Sequence, residues 1–76
     1  MSRYTVHQNK HYRATIKLGM FQSIAGNEAV ADKFREAGFV EVKVTGSGRT
    51  RTATGLWPHK DATAEIPNEV TEIIAT

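Results

Sequence analysis

The sequence predicts an α+β domain, a four-stranded antiparallel sheet covered on one face by two helices. Three observations lead there. Residues 3–18 and 40–52 each alternate apolar with polar side chains on either side of a short polar or glycine-rich break, the pattern of a hairpin. Residues 27–37, between them, switch to helical spacing, and an apolar stripe of Val70, Ile73 and Ile74 follows Pro67.

The first hairpin joins a strand at 3–7 to one at 11–18 through Gln8-Asn9-Lys10. A three-residue loop sets Val6 opposite Tyr12, Tyr4 opposite Ala14 and His7 opposite His11, so both apolar sets share one face; a two-residue turn would split them. The helix at 27–37 has Asn27 as its expected N-cap and presents Val30, Phe34 and Ala37 on one side. Gly38 supplies the left-handed stop, and Phe39 is placed to fold back on Phe34. Met20 and Phe21, after Gly19, are expected at the sheet edge under this helix.

In the second hairpin Val40, Val42 and Val44 alternate with Glu41, Lys43 and Thr45, and Gly46-Ser47-Gly48 is read as the turn. That register puts Val44 opposite Thr50, Val42 opposite Thr52, and Lys43 opposite Arg51 on the far face. The alternative turns arginines into the core, at a cost of several kcal/mol for an unpaired charge. A loop follows Trp57-Pro58, and Pro67 opens a second helix over about 67–75. A right-handed crossover then makes the second and third strands parallel, with the fourth between them, in the spatial order one-two-four-three.

At 76 residues, with 39% hydrophobic and 24% charged side chains, the chain has the size of one small soluble domain. It has no cysteine, which excludes disulfides, thiolate metal sites and cysteine nucleophiles. No apolar run is long enough to span a membrane, and the N-terminus lacks a secretion signal, so the chain as written reads as cytoplasmic. The net charge of +2 is small, but basic residues dominate up to Arg51, while Asp61, Glu65, Glu69 and Glu72 make the later charges acidic.

The run "YRATIKLGMFQS", followed by "NEAVADKFREAGF" and "VEVKV", resembles the sporulation-related repeat, or SPOR, domain, with "TATGLWP" in the place of the family's Gly-Pro-Phe segment. The resemblance covers roughly residues 12 to 57. It implies a four-stranded sheet with two helices on one face and peptidoglycan glycan strands bound on the other. The family's last strand is missing, so the strand at 3–7 would fill its slot in a permuted variant. The family's usual position beyond the membrane would place a longer parent chain in the envelope.

The open face is the candidate site. Arg13, Lys17, Lys43, Arg49 and Arg51, with Thr15 and Thr45 among them and Trp57 at the end, form a basic, hydroxyl-rich surface with one aromatic. Such a face suits a glycan or an anionic polymer, nucleic acid included, through charge, hydrogen bonds and stacking. It is equally the surface that a solvated strand face ordinarily shows.

"TGSGRTRT" lacks phosphate-loop spacing and leads into a strand. His7 and His11 have no third ligand in reach, and His59 with Asp61 has no serine or cysteine to activate. No motif calls for a cofactor or a metal, and no nucleophile, base and oxyanion site come together. The expected function is a non-catalytic binding module. The alternative is an assembly module, for instance a homodimer formed through the valine-rich edge at 40–45.

Overall fold

The computed structural model describes residues 3–19 and 26–76; Met20 and Phe21 lie outside the described residues. In chain order its elements are β1 (Arg3–Val6), β2 (Lys10–Lys17), α1 (Asn27–Ala37), β3 (Val40–Ser47), β4 (Thr50–Trp57), β5 (Ala62–Glu65) and β6 (Val70–Ala75). The α+β class holds, with one helix where two were expected among the described residues. Four strands pair antiparallel in the order β3-β4-β2-β6, and β1 pairs with β5 in a separate two-stranded ribbon.

The expected neighbours β2, β4 and β3 stand side by side, and β2 and β3 run parallel with β4 between them. The slot assigned to the first strand belongs instead to β6. Residues 70–76 include Val70, Thr71, Ile73, Ile74 and Thr76, and this density of β-branched side chains favours an extended chain over a helix. Pro67 begins a turn, not a helix: its carbonyl accepts the Val70 N–H at 3.0 Å.

With β4 on one side of β2 and β6 on the other, β1 has no edge of β2 left to join. The chain bends at Gln8-Asn9, where Asn9 takes φ 64°, and β1 finds β5. The partner is a segment read from the sequence as loop, and Thr5 and Thr63 hydroxyls meet across the pair at 2.7 Å. The face sharing expected of Tyr4 and Tyr12 survives as an edge-on ring contact, with centroids 6.0 Å apart. His7 and His11 part company: His7 turns to Asp61, while His11 stands opposite Leu56 in the large sheet.

Helix α1 spans the expected residues and ends as expected. Gly38 adopts φ 119°, its N–H donates to the Arg35 carbonyl at 3.0 Å, and the Phe39 N–H donates to the Phe34 carbonyl at 3.1 Å. This paired closure brings Phe39 against Phe34 with ring centroids 6.1 Å apart. The start differs: Gly26 is the N-cap, and the Asn27 side chain is engaged elsewhere. On the surface Arg35 bonds Asp32 at 2.7 Å and Glu28 at 3.2 Å.

The helix-side face of the large sheet carries Tyr12, Ala14, Ile16, Ala53 and Trp57, all buried; Ile16 and Ala53 cluster with Val30 of α1, and Ala31 of the helix is buried as well. Phe39 is the hub, touching Tyr12, Phe34 and Trp57 edge-on at 6.4, 6.1 and 5.0 Å. Small residues make room for it: a Cβ on Gly55 would stand 3.4 Å from that of Phe39. The ribbon is tied to this body by the His7 N–H on the Tyr12 hydroxyl at 2.6 Å. Asp61 adds to the tie, accepting from His7 Nδ1 at 2.9 Å and from the Gln8 N–H at 2.8 Å.

Gly38 has two reasons to be glycine, since an added Cβ would sit at positive φ and 2.9 Å from Cζ3 of Trp57. Gly38→Ala should cost about 1–3 kcal/mol in denaturant unfolding and disturb Trp57 fluorescence; an unchanged midpoint would refute the close packing. The hydrogen bonds from His7 and Gln8 hold the Asp61 carboxyl below its ordinary value of 3.8. A depressed folded value stabilises above the unfolded value, and that contribution is lost as pH falls through the folded one. An NMR titration should place Asp61 below 3.8, and His7→Ala should move it upward.

Candidate functional site

The face of the large sheet turned away from α1 is built from strand register. Side chains directly opposite one another share a face, which puts Lys43, Thr54, Arg13 and Ile74 in one row across β3, β4, β2 and β6. The next row is Thr45, Thr52, Thr15 and Glu72, and beyond it come Ser47, Thr50 and Lys17. At the other end of the face, Leu56 lies between Val40 and His11. The result is a band of hydroxyls between Lys17 on one side and the Lys43–Arg13 row on the other.

Of the residues expected on this face, Arg13, Thr15, Lys17, Lys43 and Thr45 are there. Arg13, Lys17 and Lys43 are exposed, and Thr15 is half-buried. Arg49 sits in the β3–β4 turn, exposed, with its carbonyl accepting the Leu18 N–H at 2.7 Å. Arg51 and Trp57 do not belong to the face. Both point to the helix side, 4% and 9% exposed.

The physical reason is one of register. Val44 pairs with Ala53 and Ser47 with Thr50, so the turn is Gly48-Arg49 and the ladder lies three residues from the expected one. An odd shift exchanges the two faces of a strand. Arg51 is therefore interior, but it is not stranded there: Nη1 donates to Oδ1 of Asn27 at 2.7 Å, and Nε donates to the Gly48 carbonyl at 3.1 Å. Asn27 Nδ2 in turn donates to the Gly46 carbonyl at 3.1 Å. One amide side chain thus ties the start of α1 to both strands of the hairpin, which is why Asn27 does not cap the helix. Only one arginine enters the interior, and its charge is solvated by protein dipoles.

Trp57 is anchored by its indole N–H on the Lys60 carbonyl at 2.8 Å, with Phe39 and His59 edge-on to it at 5.0 and 5.1 Å between centroids. His59 and Asp61 accordingly form no dyad, since one packs on Trp57 and the other bonds His7. Thr52, Thr54 and Glu72 were missed as members of the open face. The signal for the threonines was present in "TRTATGLW", where threonines alternate with Arg51, Ala53, Gly55 and Trp57: a hydroxyl face against a face of small residues and one large anchor.

On the helix side, a cleft of about 600 Å³ lies between the large sheet, α1 and the β1–β5 ribbon. Its lining is mostly apolar, with Tyr4, Phe34 and Ile73 among its walls, and Lys33, Glu65 and Glu69 also border it. Among the described residues no helix is long and apolar enough to cross a membrane.

Comparison of the chain with protein-family models, with curated proteins and with solved structures gave no match.

If Asn27 is what makes the interior tolerate Arg51, then Asn27→Ala should destabilise the protein by about 1.5–3 kcal/mol, the range for a hydrogen bond to a charged group. Chemical denaturation measures it, and a loss below about 0.5 kcal/mol would show that Arg51 does not depend on that amide.

Proposed function

We propose that the protein is a small non-catalytic binding module whose open sheet face takes an extended anionic chain. The observation that carries this is the register, which sets Arg13 and Lys43 in one row and Lys17 beyond a band of threonines on a flat, exposed surface. Three cations face one carboxylate, Glu72, and the hydroxyls between them suit hydrogen bonds to phosphate, carboxylate or sugar oxygens. The resemblance to SPOR domains supports use of this face, because those domains hold glycan strands on the exposed side of a four-stranded sheet. Trp57 lies on the other side, so among the described residues the face offers no large aromatic for a sugar ring to stack upon. Charge is then the main attraction, which favours an anionic chain over a neutral glycan.

The test is a titration of labelled protein with a single-stranded oligonucleotide and with a neutral peptidoglycan-type oligosaccharide, at low and high salt. The oligonucleotide should shift the amides of Arg13, Thr15, Lys17, Lys43 and Thr54, with a log–log salt slope of about −2 for three cations at roughly −0.7 each. Arg13→Ala combined with Lys43→Ala should flatten that slope to about −0.7. Shifts confined to α1 and the cleft, or none with either ligand, would overturn the proposal.

A further inference from the structure

The two outer edges of the large sheet differ. The β3 edge, singled out in the sequence for its valines, is blunted: its ladder breaks between Val40 and Lys43, Glu41 is forced to φ 53°, and Gly46 follows at φ 101°. A bulge, a charged side chain and a kink are what natural sheets use to prevent edge pairing. The other edge, β6, carries Glu72 and has its own irregularity, a register shift that leaves Thr71 without a partner position on β2, but from Glu72 to Ala75 it pairs regularly and has no glycine, proline or lysine.

The hydrogen-bond phase of β6 shows which backbone groups face outward. The Thr76 N–H donates to the His11 carbonyl at 2.9 Å, so Thr76 and His11 form a hydrogen-bonded pair. By the alternation of an antiparallel ladder, Ile74 opposite Arg13 and Glu72 opposite Thr15 are also bonded pairs. Ile73 and Ala75 fall on the intervening positions, opposite Ala14 and Tyr12, and turn their N–H and C=O groups away from β2. Among the described residues no strand lies beyond them.

We propose that this edge joins a second copy of the chain, β6 to β6 and antiparallel, with Ile73 opposite Ile73 across a two-fold axis, giving one continuous eight-stranded sheet. Parity selects this arrangement. Outward backbone groups must meet outward groups, and open face must continue into open face, so odd positions pair with odd ones; of the registers this allows, centring on Ile73 is the one that sets Glu72 of each copy opposite Ile74 of the other. The Ala75 N–H then donates to the Thr71 carbonyl of the second copy, which faces outward because the N–H of that same peptide, on Glu72, faces β2, and the two Ile73 side chains meet on the cleft side.

Charge complementarity favours a second copy over an unrelated peptide. In this register Ile74 stands opposite Glu72 of the second copy, so the open-face row runs Lys43, Thr54, Arg13, Ile74 and on to that carboxylate. Arg13 and the incoming Glu72 are two strand spacings apart, about 10 Å between backbones, which the two side chains can span. The two-fold repeats the pair, and each protomer supplies one cation and one anion. This proposal shares Arg13 with the open face, but its test uses no ligand and so stands or fails apart from that reading.

Sedimentation velocity from micromolar to millimolar protein should show a reversible monomer–dimer equilibrium. Ala75→Pro removes an N–H that the monomer does not use and should weaken association by at least about tenfold while leaving the monomer folded. Hydrogen exchange on the unaltered protein provides a second measurement. The Ile73 and Ala75 amides should become protected only as the dimer forms, whereas Ile74 and Thr76 should be protected throughout. A monomer at every concentration, or a dimer in which Ile73 and Ala75 exchange freely, would overturn the assignment.

Discussion

A strand has two edges, and β2 spends both, one on β4 and one on β6. Most of the architecture follows from that single constraint. β1 precedes β2 by a three-residue connection and carries a compatible apolar face, but it has no ladder to enter, so it swings over the helix side and pairs with β5. Its Tyr4 still reaches Tyr12. The ribbon thereby becomes a flap over the apolar side and leaves the opposite face of the large sheet uncovered. Had β1 paired with β2, β6 would have lost its place and the sheet would end at a different edge.

What the sequence made legible, and what it hid, separates along the same line. Local features were readable: α1 and its glycine closure depend on side-chain spacing and on backbone freedom at Gly38, both written in adjacent residues. The neighbours β2, β4 and β3 followed from crossover handedness. The choice of partner for β1 was not local, because it depended on whether residues 70–75 would form a strand. Their β-branched composition argued for one, and the proline ahead of them argued for a helix start. Proline proved the weaker signal, since it serves a turn equally well.

The open face was half legible for a related reason. Arg13, Thr15 and Lys17 were placed by alternation within one strand, which no later choice could disturb. Arg51 and Trp57 depended on the turn between β3 and β4, where a three-residue shift turned them inward. Rejecting a buried arginine was sound for an unpaired charge. Asn27, 24 residues earlier, supplies the partner, and nothing in its own neighbourhood announced that role. A helix start that gives up its side-chain cap to hold a guanidinium is legible only once the strands are in place.

These exchanges shape what the surface can do. Turning Trp57 inward gives the core its anchor, because the ring closes the chain of edge-on contacts from Tyr12 through Phe39 to His59. It also removes from the open side the large aromatic that the sequence had placed there. The rows there carry cations and hydroxyls beside Glu72, Ile74 and Leu56, and the attraction of cations to a ligand is long-ranged and salt-sensitive, not shape-selective. A surface of that kind gains most from length, since contacts add along an extended chain. A face four strands wide offers few of them. Doubled through β6, the same rows would run across eight strands, with the acidic Glu72 of each copy drawn towards the Arg13 of the other at the seam, leaving Lys17 and Lys43 of both copies on either side to meet a ligand.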